Sequence, residues 1–154
     1  TRWFGPTPDD AGTMAPGARR PRIATIAELG GDGAPPLRVV NLHLDSDSEQ
    51  RRAESIVQLG AWLSADETPT PTIVLGDFNG ELTDPGYEAL ADCGLRSALP
   101  ADAGPTSNGF GRALGSQRQI DHVFVSAHFA VRAAWIDHDA GHASDHFPVV
   151  VDLN

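Results

Sequence analysis

The chain contains no lysine: all 11 of its basic residues are arginine, set against 21 acidic ones for a formal net charge of −10. Beside 16 glycines and 12 prolines, the missing lysine reads as a coding bias and carries no functional information. The acidic balance does carry some, because such a surface repels polyanions and counts against tight, non-specific binding of nucleic acid. The single cysteine, Cys93, excludes an internal disulfide framework, and its place near a helix end reads as a small buried hydrophobe. No apolar run approaches the ~20 residues needed to cross a bilayer as a helix. There is no internal repeat, no low-complexity tract and no visible signal peptide at the start, which by itself leaves export and localisation open.

What is present is one domain's worth of chain, 154 residues with 40% hydrophobic and 21% charged, enough to bury a core. Residues 5–20, rich in Gly, Pro and Ala, read as an irregular loop. Residues 21–29 and 37–44 read as strands joined across Gly30, Gly31, Asp32 and Gly33. A helix follows, with Ser46 and Glu49 spaced for a capping box and Ala53, Ile56, Val57, Gly60 and Leu63 recurring at helical spacing. Pro69 and Pro71 close that unit before a strand at 72–76. Asp84 and Pro85 suit the cap and first turn of a second helix that Gly94 would end. Residues 100–117 read as a loop, and strands near 119–126, 129–137 and 148–153 finish the chain around a loop at 138–147. Strand–helix alternation followed by strands alone predicts a mixed-sheet α/β sandwich with helices outside a sheet.

Four strands carry polar residues at places where folding does not ask for them. The apolar run Thr72-Ile73-Val74-Leu75-Gly76 ends in Asp77 and, two residues on, Asn79. Gln119-Ile120 leads into Asp121, Ser144 into Asp145 and His146 before Phe147-Pro148-Val149, and Leu37-Arg38-Val39-Val40 into Asn41 and His43. Along 37–44, alternation puts Asn41 and His43 on one face with Val39, and Val40, Leu42 and Leu44 on the other. Four strands each delivering Asp, Asn or His at one end point to a single polar site at a sheet rim, and so to an enzyme. The plainer alternatives are a strand-to-turn cap at Asp77, a turn before a terminal strand at Asp145 and His146, and a strand with one solvated face at His43.

In this order the four islands resemble the endonuclease/exonuclease/phosphatase superfamily of metal-dependent phosphoesterases, which includes deoxyribonuclease I, abasic-site endonucleases, sphingomyelinases, inositol-phosphate phosphatases and deadenylases. The resemblance runs from about Arg2 to the last residue and rests on GDFN (Gly76–Asn79), the Ile120-Asp121-His122 strand and SDHFPV (Ser144–Val149) together. It implies a deoxyribonuclease I-like four-layer fold across 1–154, a Mg²⁺ or Mn²⁺ cofactor and a phosphoester substrate, whether small-molecule, lipid or nucleic acid. It implies no stable protein partner, and a monomer. The family's first half carries an Asn and a Glu at strand ends, the Glu a principal Mg²⁺ ligand. Nothing here occupies those places, so the chain is expected to be the C-terminal portion of such a domain. The missing Glu also motivates a different reading, a non-catalytic binding or scaffold domain that keeps the fold without a complete metal site.

Phosphoester hydrolysis needs a water aimed in line, donors or positive charge on the non-bridging oxygens, and help for the leaving group. By resemblance, Asp77 activates the water, and also serves as a metal ligand with Asp145. Asn79 supplies an amide donor, His146 contacts the scissile phosphate and Asp121 fixes the tautomer of His146. His43 binds phosphate and assists the leaving group, and Asn41 positions substrate. Weaker candidates have bland alternatives beside them. His138, His142 and His146 are spaced by four, but Gly141, Ser144 and Pro148 argue for loop histidines over a helical metal face. Trp3 and Phe4 line a cleft or pack in the core; Arg51 and Arg52 reach a phosphate or lie on a solvated helix face. Arg112 and Arg118 flank the late loop, where selectivity would be set.

Overall fold

A computed structural model describes residues 1–31, 33, 36–65, 69–111, 117–141 and 143–154. Asp32 in the expected glycine-rich connection, Arg112 and His142 lie outside the described residues. Six strands, β1 (Arg2–Trp3), β2 (Ile23–Leu29), β3 (Leu37–His43), β4 (Thr72–Asp77), β5 (Leu95–Ser97) and β6 (Asp121–Ser126), form one sheet in the order β1-β2-β3-β4-β6-β5. Two more, β7 (Val131–Ile136) and β8 (Val149–Leu153), pair antiparallel as a separate ribbon. The architecture is the mixed-sheet α/β one that the patterning predicts.

The position of the site follows from one parallel pair. β3 and β4 run in the same direction, and a parallel pair needs a crossover, which α1 (Glu49–Ser64) supplies. Both strands therefore deliver their C-terminal ends to the same rim. Antiparallel β6 brings its first residue there, so that His43 stands opposite Asp77 and Asp77 opposite Asp121. Adjacent strands are about 4.8 Å apart, which sets the pitch of this polar row.

The opposite face of the sheet holds the core. Val40, Leu42, Val74 and Phe124 pack with Leu44, Phe78 and Phe4 against Ile56 and Leu59 of α1 and Leu90 of α2 (Glu88–Asp92). Each such side chain contributes about 1.5–3 kcal/mol on leaving water. Phe4 stacks on Trp62 with ring centroids 5.2 Å apart, so it is a core residue rather than a cleft wall.

Local details depart from the sequence-based expectations for identifiable reasons. The cap of α1 is Ser48, whose Oγ accepts from the Arg51 amide at 3.3 Å, and not Ser46. The carboxylate of Asp45 accepts from the amides of Asp47 and Ser48 and so carries the turn two residues further before the helix begins. Val57 is exposed, and Leu59 takes the core position expected of it. α2 starts at Glu88 instead of behind Pro85, because Gly86 at φ +101° breaks the helical path between them. Gly94 does end it, at φ +75°, donating back to the carbonyl of Ala91. β1 and β5, of two and three residues, are too short to show periodicity and were not expected. Arg51 and Arg52 do not present a solvated face: Arg51 pairs with Asp45, and buried Arg52 reaches Asp84 and the Asp45 carbonyl.

Candidate active site

Asp77 sits where β4 breaks, and the break is enforced by Gly76. Its φ of +137° is open to glycine, and a Cβ there would run into the carbonyl oxygen of Leu42. Beyond it, Asp77 Oδ1 accepts from the amide of Asn79 at 2.8 Å, holding Asn79 at φ +53°. The turn-capping role therefore takes one carboxylate oxygen and leaves the other. Oδ2 lies 3.4 Å from His43 Nε2 and 4.0 Å from His146 Nε2. Asn79 Nδ2 donates to the Leu44 carbonyl at 3.0 Å, which leaves its second amide hydrogen.

His146 comes from the loop before β8, and Asp121 aims it. Its Nδ1 is 2.7 Å from Asp121 Oδ2. A carboxylate accepts, so Nδ1 carries the proton and Nε2 faces Asp77. Ligand atoms of Asp77, Asp121 and His146 all lie within 4.8 Å of one another. Asp145, one residue from His146, is exposed and outside that trio, its carboxylate meeting the Ser144 hydroxyl at 3.4 Å. Asn41 lies on the same face of the sheet as His43, one pleat back from the rim and exposed.

The charges of these groups are interdependent. Burial pushes the Asp77 carboxyl above its ordinary range; the Asn79 hydrogen bond and both histidines oppose this, and Asp121 adds to it. Burial also holds His43 below its ordinary value against the pull of Asp77, with Arg22 and His146 adding to the effect. Those two directions are not those of an ion pair: desolvation drives both partners toward their neutral forms. His146 differs. Burial works against its charge, but the hydrogen bond and charge of Asp121, helped by Asp77 and Asp145, outweigh it and raise its proton affinity. The result is a carboxylate poised to take a proton beside a histidine poised to keep one.

Two residues that the sequence did not single out complete the arrangement. Thr106 is fully buried, and its Oγ1 accepts from the amides of both Ile120 and Asp121 at 3.0 Å. Its carbonyl accepts from the Phe147 amide at 2.7 Å. One threonine thus ties the start of β6 to the loop carrying His146, fixing the Asp121–His146 geometry. Arg22, at the entry to β2, places its charge close enough to depress His43. Nothing in the sequence around Thr106 marks it, since its partners are distant backbone groups. His138 hydrogen-bonds the Pro105 carbonyl at 3.2 Å and packs its ring on Phe147, away from the trio. Arg118 is held by Glu81 and Asp84.

Comparison with known proteins gives a family and a set of folds. Residues 3–146 match the family model described as Endonuclease/Exonuclease/phosphatase family. An endonuclease/exonuclease/phosphatase structure from Bacteroides vulgatus is similar with a TM-score of 0.83 and 25% identity, over 99% of this chain and 63% of that one. A mannosyl-6-phosphatase of Bacteroides thetaiotaomicron is similar with a TM-score of 0.78 and 28% identity, over 99% and 64%. The catalytic domain of human Nocturnin shares the fold, with a TM-score of 0.64 and 23% identity over 87% and 52%. No curated protein matches. The chain therefore spans just under two thirds of the length of the first two structures.

Proposed function

We propose, from the premise that this chain belongs to the endonuclease/exonuclease/phosphatase family, that it is a divalent-metal-dependent hydrolase of phosphoester bonds. The observation that carries this is the convergence of His43, Asp77, Asp121 and His146 on one rim, three of them with ligand atoms within 4.8 Å.

The donor set fits the implied cation. Mg²⁺ keeps several waters and takes one or two carboxylates, and Mn²⁺ accepts the same oxygen donors. Asp77 and Asp121 offer those carboxylates, and Asp145 is a further ligand candidate from the loop of His146. When bound, the cation would supply positive charge to the non-bridging oxygens and polarise a water. The remaining work belongs to the chain. Asp77, through the Oδ2 that its turn leaves open, orients the attacking water and takes its proton as the new P–O bond forms. His146, whose protonated form Asp121 favours, donates Nε2–H to a phosphoryl oxygen as negative charge builds there. The free amide hydrogen of Asn79 points a second donor at the phosphate, and Asn41 contacts the substrate beyond it. His43 binds phosphate beside the departing oxygen, and the proton that Asp77 takes from the water passes by way of His43, whose Nε2 lies 3.4 Å from Asp77 Oδ2, to the leaving alkoxide.

The test is hydrolysis of a panel of phosphomonoesters and phosphodiesters with Mg²⁺ and with Mn²⁺. The similarity to a mannosyl-6-phosphatase makes a sugar phosphate the first monoester to assay. Turnover that Asp77→Asn removes is the expected result. No turnover on any ester with either metal, together with no metal-dependent change in thermal unfolding, would support the scaffold reading instead.

A further inference from the structure

Among the described residues, three arginines close in sequence gather around one cavity of this acidic protein. Arg19, Arg20 and Arg22 line a cavity of about 140 Å³ with Asp45, Ser46 and Asp47, just past the end of β3 and two residues from His43. A water's share of liquid volume is about 30 Å³, so the cavity has room for an anion and its remaining hydration. Its two carboxylates are already spoken for. Asp45 is buried, accepts Arg51 Nε at 2.9 Å and the amides of Asp47 and Ser48, and is held below the ordinary carboxylate range: burial opposes this, and those bonds prevail. Asp47 lies 3.7 Å from Arg19 and accepts from the Ser46 hydroxyl. Arg20 and Arg22 have no acidic partner within ion-pair distance among the described residues, and Arg22 Nε is buried without a hydrogen-bond acceptor. The charge of Arg22 also reaches His43, so cavity and catalytic rim share one field.

We propose that Arg19, Arg20 and Arg22 form an anion subsite that takes a second phosphate group, so that the preferred substrate is a small molecule carrying two phosphates. Guanidinium forks match phosphate oxygens, and several of them around one cavity suit a group with three acceptor oxygens better than a carboxylate with two. The occupant is small, not a polynucleotide. A polymer would lay its charge along the rest of a protein whose net charge is −10, whereas the arginines here serve one cavity. For its catalytic half the proposal rests on the phosphoester reading above; its binding half stands apart from it.

The experiment is calorimetric titration of the protein with fructose bisphosphate and with fructose monophosphate, for the wild type and for Arg19→Gln combined with Arg20→Gln. Both side chains belong to an exposed segment, and thermal unfolding of the variant checks that it is folded. The wild type should prefer the bisphosphate by roughly tenfold or more, and in the variant the ratio should fall toward one. The preference should also decline with added salt. Equal affinities in the wild type, or a preference that survives in the variant, would overturn the proposal. Phosphoglycolate, carrying one phosphate and one carboxylate, is the third ligand: an equal gain there would overturn the assignment of the subsite to phosphate. Hydrolysis in the same samples separates the two readings. Binding preference without turnover of any ester counts against the hydrolase and leaves the subsite standing. Turnover without preference does the reverse.

Discussion

Asp121 and His122 are consecutive on β6, yet the pleat sends them to opposite faces and into opposite chemistries. Asp121 faces the rim, where it holds His146 at 2.7 Å. His122 faces the core, 1% exposed, with Nε2 2.8 Å from the Gly80 carbonyl and its ring set edge-on to Phe78 and Tyr87. Because a carbonyl only accepts, Nε2 carries the proton of His122, and its buried Nδ1 is left without a donor. Burial holds His122 below its ordinary value, only partly offset by the Gly80 bond and the nearby carboxylates, whereas Asp121 raises His146. What separates the histidine fit for proton transfer from the one that packs is the partner. A carboxylate favours the charged ring and leaves one nitrogen toward the site. A carbonyl and the rings of Phe78, Tyr87 and Phe124 keep it neutral and closed in.

That contrast can be broken at several points. The largest effect is expected on the rim at Asp77. Asp77→Asn should lower kcat/KM by about a thousandfold, the scale of general acid–base catalysis, while the substituted amide oxygen still accepts from Asn79 and thermal unfolding stays near that of the wild type. On the core side, His122→Ala should cost about 3 kcal/mol of stability in urea titration, as for removal of a buried ring, with kcat/KM per folded molecule unchanged. A loss of turnover there would mean that the two faces are not separable.

Asp121→Asn should cost roughly a hundredfold in kcat/KM and carry a pH signature. In the proposed mechanism protonated His146 is the working form, so activity should fall as pH rises through its raised pKa. Without the Asp121 charge that pKa drops, and the alkaline limb should move to lower pH. A loss with an unmoved profile would mean that Asp121 acts as a cation ligand or a structural neighbour and not through His146.

The smallest effect is the pH dependence of stability, and its sign differs between the two rings. His122 has a folded-state pKa below its unfolded value of 6.5, so the unfolded state binds more protons as pH falls below 6.5. Its contribution is present above that pH and is lost on acidification toward the folded pKa. His146 is raised above 6.5; its contribution is full below 6.5 and is lost as pH rises through the folded pKa. Urea titrations of His122→Phe and His146→Gln across this range should deviate from the wild type in opposite senses.

Much of this was legible in the sequence because it lay in local patterning. Alternation along 37–44 separated Asn41 and His43 from Val40 and Leu42, and the structure keeps them apart. An apolar run stopping at Asp77 marked the rim because a carboxylate has no reason to end a buried strand. His122 sits in the same short motif as Asp121, and period two alone decides which face each takes. What stayed hidden depends on contacts made across the fold. Thr106 acts through amides 14 and 15 residues away. The turn in which Asp45 accepts from the amides of Asp47 and Ser48 moves the helix cap from Ser46 to Ser48, and a rule of fixed spacing has no term for it. Arg19 and Arg20 gain meaning only when their loop is set beside the end of β3.

The proposed function stands or falls with metal-dependent phosphoester hydrolysis by the rim residues. The most direct measurement is turnover of bis-para-nitrophenyl phosphate and a sugar phosphate by the wild type and Asp77→Asn, each with Mg²⁺ and after chelation. Wild-type turnover should be abolished by chelation and reduced by about a thousandfold in Asp77→Asn, with unchanged unfolding. Turnover indifferent to chelation, or retained in Asp77→Asn, would contradict it.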